Sequence, residues 1–404
     1  MSSAIEQSTV ISDASARLSR QLDDAPWLAE LRSGAAAAAD ALALPDSRRE
    51  RAWKYLDISG LKLEPYAPIA GQTSLSEGVP GLTLTTFAAA DAPAQAVIQQ
   101  YLGSRVDTRR SKLTAMHYAY LQDGVLVQTA ANAEVGSVKI TRHYAGAGAL
   151  GTPHTLIVTG PNSTVSVIED FRSGEDDMLM LPALEVVPGH GSQVRYTALN
   201  RWGTKTRVFT DQSTIAEQES AYTSLNVVTG GLVVKGYLQS TMVARGSSSE
   251  LYGVTLGDGK QHADFYTVQD HVGADTRSDL LYKSALKDES RSVYYGLTRV
   301  GLEARNSDAN QEQRNLLLSH GTRADSDPVL EILTSNIIRC SHGSTTGPVD
   351  EEQLYYLEAR GIPREKGEDL LVRAFLGQVL DRIPDEALRE ELEAVVDAKL
   401  ERAG

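Results

Sequence analysis

A chain of 404 residues, 41% apolar and 23% charged, can bury a sizeable core, and its length predicts two to three domains. Its 39 basic and 53 acidic residues leave a net charge of −14, which argues against nucleic acid or an anionic membrane surface as a partner. The single cysteine excludes an internal disulfide, the polar start around Glu6 lacks the basic and apolar regions of a secretory signal, and no run is long enough to span a bilayer, so the expected compartment is the cytosol.

Residues 1–114 read as a mainly helical domain, with strong helix formers at residues 35–43 and few β-branched residues. Ser47-x-x-Glu50 has the form of a capping box, opening a segment whose Trp53 and Tyr55 are expected in the core. From residue 115 the text changes to short apolar or alternating runs, such as 125–127, 155–159, 165–168 and 194–199, separated by Gly, Asn, Asp and Ser. A Ser-x-apolar frame recurs at Ser163, Ser192, Ser220, Ser249, Ser278, Ser307 and Ser335. A sustained period of about 29 residues in strand-rich text predicts a parallel β-helix over residues 115–340, and the absence of long helical patterns there excludes βαβ crossovers.

Residues 341–404 read as a C-terminal helical domain, with Asp350 placed to cap, Leu354 and Leu357 on one face, and Gly361-x-Pro363 as a stop and restart. Leu371, Phe375 and Val379 recur every four residues beside Leu370 and Ala374, Pro384-Asp385 breaks the pattern, and Leu388, Leu392, Val396 and Leu400 resume it towards Lys399 and Arg402. From residue 348 onward the chain carries 15 acidic and 8 basic residues, a distinct acidic surface. The stripes fit either internal packing or a partner's groove.

Between the strand region and this tail lies Cys340-Ser341-His342-Gly343-Ser344-Thr345-Thr346-Gly347, in which the only cysteine precedes a glycine-rich stretch expected to turn. Cys340 and His342 are two apart, so an extended backbone points both to one face. Thiolate and imidazole suit soft and borderline metals. Two ligands do not complete a tetrahedral site or a cluster, so the remaining ones must come from elsewhere. The plainer alternative is that Cys340 packs as a small apolar side chain.

No Gly-x-Ser-x-Gly elbow, His-Glu-x-x-His or phosphate-binding loop is present, so any ATP-driven work falls to a partner. The other histidines, His117, His143, His154, His190, His262, His271 and His320, lack metal-ligand spacing. His262-x-Asp264 and His271 with Asp275 keep open a carbohydrate-acting β-helix enzyme using paired carboxylates. A plain adaptor solenoid without metal chemistry is the other alternative.

Residues 340–362, with Asp350, Leu354, Tyr355, Tyr356, Leu357, Arg360 and Gly361, resemble the C-terminal signature of the SufB/SufD iron-sulfur assembly family, and the Cys-Ser-His-Gly form resembles its SufD branch. Residues 45–55, 276–300 and 315–338 resemble further parts of it. The resemblance implies a mainly β fold, a right-handed parallel β-helix flanked by N-terminal and C-terminal helical domains. It implies a non-catalytic scaffold that pairs with a SufB-like subunit, with a nascent iron-sulfur cluster forming at the interface on His342, and Cys340 as a second candidate ligand. It also implies that a SufC-like ABC ATPase docks on the C-terminal helices, where Leu371, Phe375 and Val379 are the candidate anchors. A homodimer is the alternative assembly when the sister subunit is absent. In the SufB branch an acidic residue follows the corresponding histidine and further cysteines lie in the β core; here Gly343 follows and no second cysteine exists, so cluster nucleation on this chain alone is not expected.

Overall fold

A computed structural model describes residues 10–383 and 385–403. The start around Glu6, the break at Pro384 and the side chain of Arg402 lie outside the described residues. From Asp123 onward the strands pass alternately into two facing sheets, so that each strand pairs in parallel with the strand one coil away. The result is the expected parallel β-solenoid, with about eight turns. One sheet ends at Arg323–Ile332 and the other at Ile337–Pro348. Alternate side chains enter the lumen between the sheets, as the pleat requires. In the second sheet one lumen column runs Val165, Val194, Tyr222, Ser249, Ser278, Ala309, Cys340, and its neighbour runs Val167, Tyr196, Ser224, Leu251, Leu280, Gln311, His342.

The recurring serine is a corner device. Ser163, Ser192, Ser220, Ser247, Thr276 and Ser307 each donate a hydroxyl hydrogen bond to the carbonyl three residues earlier. Each follows a residue in the left-handed region: Asn162, Gly191, Glu219, Gly246, Asp275 and Asn306. Asn, Asp and glycine tolerate that conformation, Glu219 being the exception, and the hydroxyl adds a hydrogen bond that fastens the tight turn. The period is therefore real, but the frame shifts at the fourth coil: Ser249 and Ser278 are lumen residues two positions beyond the corner, and Ser335 lies between strands.

At the N-terminal end, Val10–Leu22, Pro26–Ala41, Ala92–Tyr101 and Lys112–Tyr120 are helices; Trp53 is buried as expected, whereas Tyr55 is only half-buried. Three short strands, Ala67–Ile69, Gln72–Leu75 and Leu82–Thr86, interrupt the helical text. The last two pair antiparallel with Glu134–Tyr144 and Asp123–Thr129, which closes the N-terminal edges of both sheets. Edge pairing of this kind outweighs local helix propensity. The expected capping box shifts by one residue: the Asp46 carboxylate accepts from Arg48 N, and the Glu50 carboxylate accepts from Asp46 N.

At the other end, residues 343–348 are strand rather than turn, held in register against residues 312–317. Helices Glu351–Ala359, Arg364–Leu380 and Glu386–Ala403 follow. Asp350 caps the first, accepting from Glu352 N at 2.9 Å. The apolar residues of the last two helices, among them Leu376, Leu392 and Val396, form one buried cluster with Leu225, Val254 and Leu281 on the outer face of the second sheet. Among the described residues no helix is long and apolar enough to cross a membrane.

Candidate functional site

The Ile337–Pro348 strand has a neighbour on one side only, as does Arg323–Ile332 in the opposite sheet, so among the described residues both sheets end in an open edge. The lumen is therefore open at this end. On the preceding strand Ala309, Gln311, Gln313 and Asn315 are buried in the lumen, and their partners in register are Cys340, His342, Ser344 and Thr346. Cys340 and His342 thus share the lumen face, as their spacing requires, with Cys340 half-buried and His342 exposed. Burial pushes the Cys340 thiol above its ordinary pKa, which favours the neutral thiol over the thiolate that a metal needs. Among the described residues no three His, Cys, Asp or Glu side chains converge as a metal-ligand set.

The floor beneath the pair is polar. Thr298 Oγ1 donates to Gln311 Oε1 at 3.1 Å, Gln313 Nε2 to Asn315 Oδ1 at 2.8 Å, and Asn315 Nδ2 to Thr346 Oγ1 at 3.0 Å. In early coils the Gln311 column holds Val167, while the Gln313 and Asn315 columns already carry polar residues, Glu169 and Asn226 in one and Asn200 in the other. Polar groups occur along the whole lumen, such as Arg142 with Glu169 and Gln212 with Asn226, and at the open end Gln311, Gln313 and Asn315 lie where water or a partner can meet them. Gln311, Gln313 and Asn315 were not singled out from the sequence, although their alternation with Glu312 and Arg314 is visible there. Ile332, Leu333 and Ile338 are exposed along the two edges.

The carbohydrate-site candidates do not come together. His271 is buried in the lumen, with Nδ1 2.8 Å from Thr276 Oγ1 and Nε2 2.8 Å from Ser278 Oγ. Asp275 lies at a corner, accepting from Arg245. Asp264 faces outward and is buried 2.8 Å from Lys235 Nζ. Neither pair forms a carboxylate couple.

In the tail, Val379 is buried, while Leu371 and Phe375 are half-buried. Lys283 Nζ lies 4.4 Å from the centre of the Phe375 ring and donates to the Phe375 carbonyl at 2.8 Å, tying this helix to the solenoid. Lys139 with Glu391 and Arg382 with Asp279 add ion pairs across the same seam. Among the described residues, the large apolar side chains that the tail presents to solvent are Tyr355, Tyr356 and Leu370, at 73%, 58% and 46% exposure.

Residues 141–375 match a family model described as "SUF system FeS cluster assembly, SufBD core domain". A Mycobacterium tuberculosis protein described as an iron-sulfur cluster assembly SufBD family protein is 29% identical over 298 residues, covering 72% of this chain and 74% of the relative. A Mycobacterium leprae protein of the same description is 37% identical over 183 residues, 44% of this chain and 47% of the relative. The iron-sulfur cluster assembly protein SufD of Bacillus subtilis is 27% identical over 304 residues, 74% of this chain and 68% of the relative.

Proposed function

Since the chain belongs to the SufB/SufD family of iron-sulfur cluster assembly proteins, we propose that it is a SufD-like scaffold subunit working with a SufB-like subunit and a SufC-like ABC ATPase. The observation that carries this reading is the open end of the solenoid, where two unpaired strand edges flank Cys340 and His342 on the lumen face. An open edge offers a row of backbone donors and acceptors to a second chain, and strand addition would bring that chain's side chains over the same lumen.

In this arrangement the nascent cluster is cargo. His342 is exposed and offers an imidazole nitrogen, and the SufB-like chain supplies the remaining ligands. Cys340, less accessible and with a raised pKa, assists or packs. The chain itself performs no bond chemistry. Its contribution is to hold His342 at a fixed position on a strand whose one neighbour keeps the register over ten consecutive residue pairs.

The ATPase docks on the C-terminal helices. Burial of Val379 moves the contact from the inward stripe to the exposed residues of the same segment, Tyr355, Tyr356 and Leu370, with half-buried Leu371 and Phe375 at its margin. Exposed aromatics of this kind are the usual anchors of a protein interface. The experiment is co-expression of the three chains, purification of the complex, and iron and sulfide analysis after reconstitution. A co-purifying trio whose cluster content falls in His342→Ala supports the proposal; unchanged content removes the ligand role.

A further inference from the structure

On the outer face of the first sheet, residues 50–53 run alongside the start of the Lys112–Tyr120 helix and leave a cleft of about 360 Å³ between them. That is the size of a small-molecule site. The cleft lies on a different face from the open end and the tail, and the assembly reading leaves it unused. Trp53, Phe209, Tyr237 and Tyr266 line its walls. Tyr237 stacks on Tyr266 at 5.1 Å and Tyr266 on Tyr295 at 4.4 Å. Arg110 covers the free face of Tyr237 and Arg51 that of Tyr295. The ladder is thus a rigid wall that offers edges and hydroxyls, and ring edges carry the positive part of the aromatic quadrupole.

Three cations line the cleft: Arg51, Arg110 and Lys235. Its two acids already have partners. Asp211 pairs with Arg110 and accepts from Thr114 Oγ1 at 2.7 Å, and Glu50 accepts from Asp46 N at 2.8 Å. Lys235 is 3% exposed, and its Nζ lies 5.0 Å from the centre of the Trp53 ring. The Asp264 carboxylate, 2.8 Å away, pairs the charge, but among the described residues no acceptor lies in hydrogen-bonding alignment with the ammonium, which leaves donors to fill. Burying such a group is costly unless something fills those donors. The helix start, where Ser111 Oγ accepts from Thr114 N, adds the positive end of a helix dipole.

We propose that this cleft binds a small anion with a planar aromatic body, its acidic group at Lys235 and Arg110 and its ring between Trp53 and the tyrosine edges. A nucleoside monophosphate and an aromatic carboxylate share that chemistry. The full-length chain is titrated with 1-anilinonaphthalene-8-sulfonate, a fluorescent planar anion, and with the uncharged N-phenyl-1-naphthylamine. The sulfonate should saturate one site per chain, at least tenfold more tightly than the neutral probe, and weaken at least tenfold in Lys235→Met. Arg51→Glu, at the solvent-facing mouth, keeps the test valid if Lys235→Met does not fold, and should weaken binding about fivefold. Displacement by AMP assigns a nucleotide, and displacement by anthranilate but not AMP assigns an aromatic acid. Equal binding of the neutral probe, unchanged binding in the variants that fold, or failure of both competitors overturns the proposal.

Discussion

His342 is exposed on an edge strand, so its imidazole contributes little to packing, and replacing it tests ligation almost in isolation. His342→Ala should lower the iron and sulfide content of the reconstituted complex severalfold while leaving the circular dichroism melt of this subunit within a degree or two. Cys340→Ala should do less, because trimming a half-buried thiol costs mainly contacts. A second residue-scale prediction concerns acid lability. Burial lowers the pKa of His271 to about 4, against about 6.5 in an unfolded chain. Between those values the unfolded chain binds a proton that the folded one refuses, so stability falls as pH drops from about 6.5 to about 4 and this contribution levels off below. His117, also lowered to about 4, adds to the same window. Urea unfolding from pH 7 to 4 should show a shallower slope for His271→Gln than for the native chain, by up to about 1.4 kcal/mol per pH unit. An identical slope would mean that His271 is protonated in the folded state.

Among the elements, the tail helices pack on the solenoid and, in the proposed assembly, also dock the ATPase, and substitutions can separate the two roles. Val379 belongs to the cluster shared with Leu281 and Val254. Val379→Asp should cost about 3 kcal/mol or more by burying an unpaired carboxylate, visible as a lowered melt. Phe375→Asp should also lower the melt, because the ring packs over Lys283. Tyr356→Ala and Leu370→Asp touch solvent-facing positions and should leave the melt unchanged while reducing ATPase co-purification. If the exposed substitutions retain the ATPase and only the destabilising ones lose it, the docking face is wrongly placed. The four-residue spacing was legible in the sequence. Which side of it faces inward was not, because a stripe with Leu370 and Leu371 adjacent fits two helix rotations, and only the apolar outer face of the second sheet selects one.

For the whole molecule, the solenoid buries each coil against its neighbours, so damage spreads along the stack rather than staying local. Val165→Asn, in the lumen, should lower stability by a few kcal/mol, measured as a shifted unfolding midpoint. The two ends of the stack differ. Antiparallel strands close the N-terminal edges, while among the described residues nothing pairs with the C-terminal edges. Ile338→Lys, at an exposed edge position, should weaken pairing with the SufB-like subunit by tenfold or more on gel filtration and leave the melt intact. Unaltered pairing would place the interface elsewhere.

Features that repeat within a few residues or at a constant stride were legible in the residues alone: the corner period, the shared face of Cys340 and His342, the Asp350 cap and the apolar spacing of the tail. Each is a local steric or hydrogen-bonding requirement and leaves its mark in residue type and interval. The antiparallel closure by residues 72–86, the amide-lined lumen beneath His342, the continuation of the last strand to Pro348 and the cleft between Trp53 and Lys235 emerge only from the folded chain. These depend on which distant segments meet. A threonine-rich stretch becomes an edge strand because an unpaired sheet edge lies beside it, glycines 343 and 347 stay extended because the Ser307–Leu317 strand pairs with them, and a lysine becomes buried when residues 50–53 fold over it.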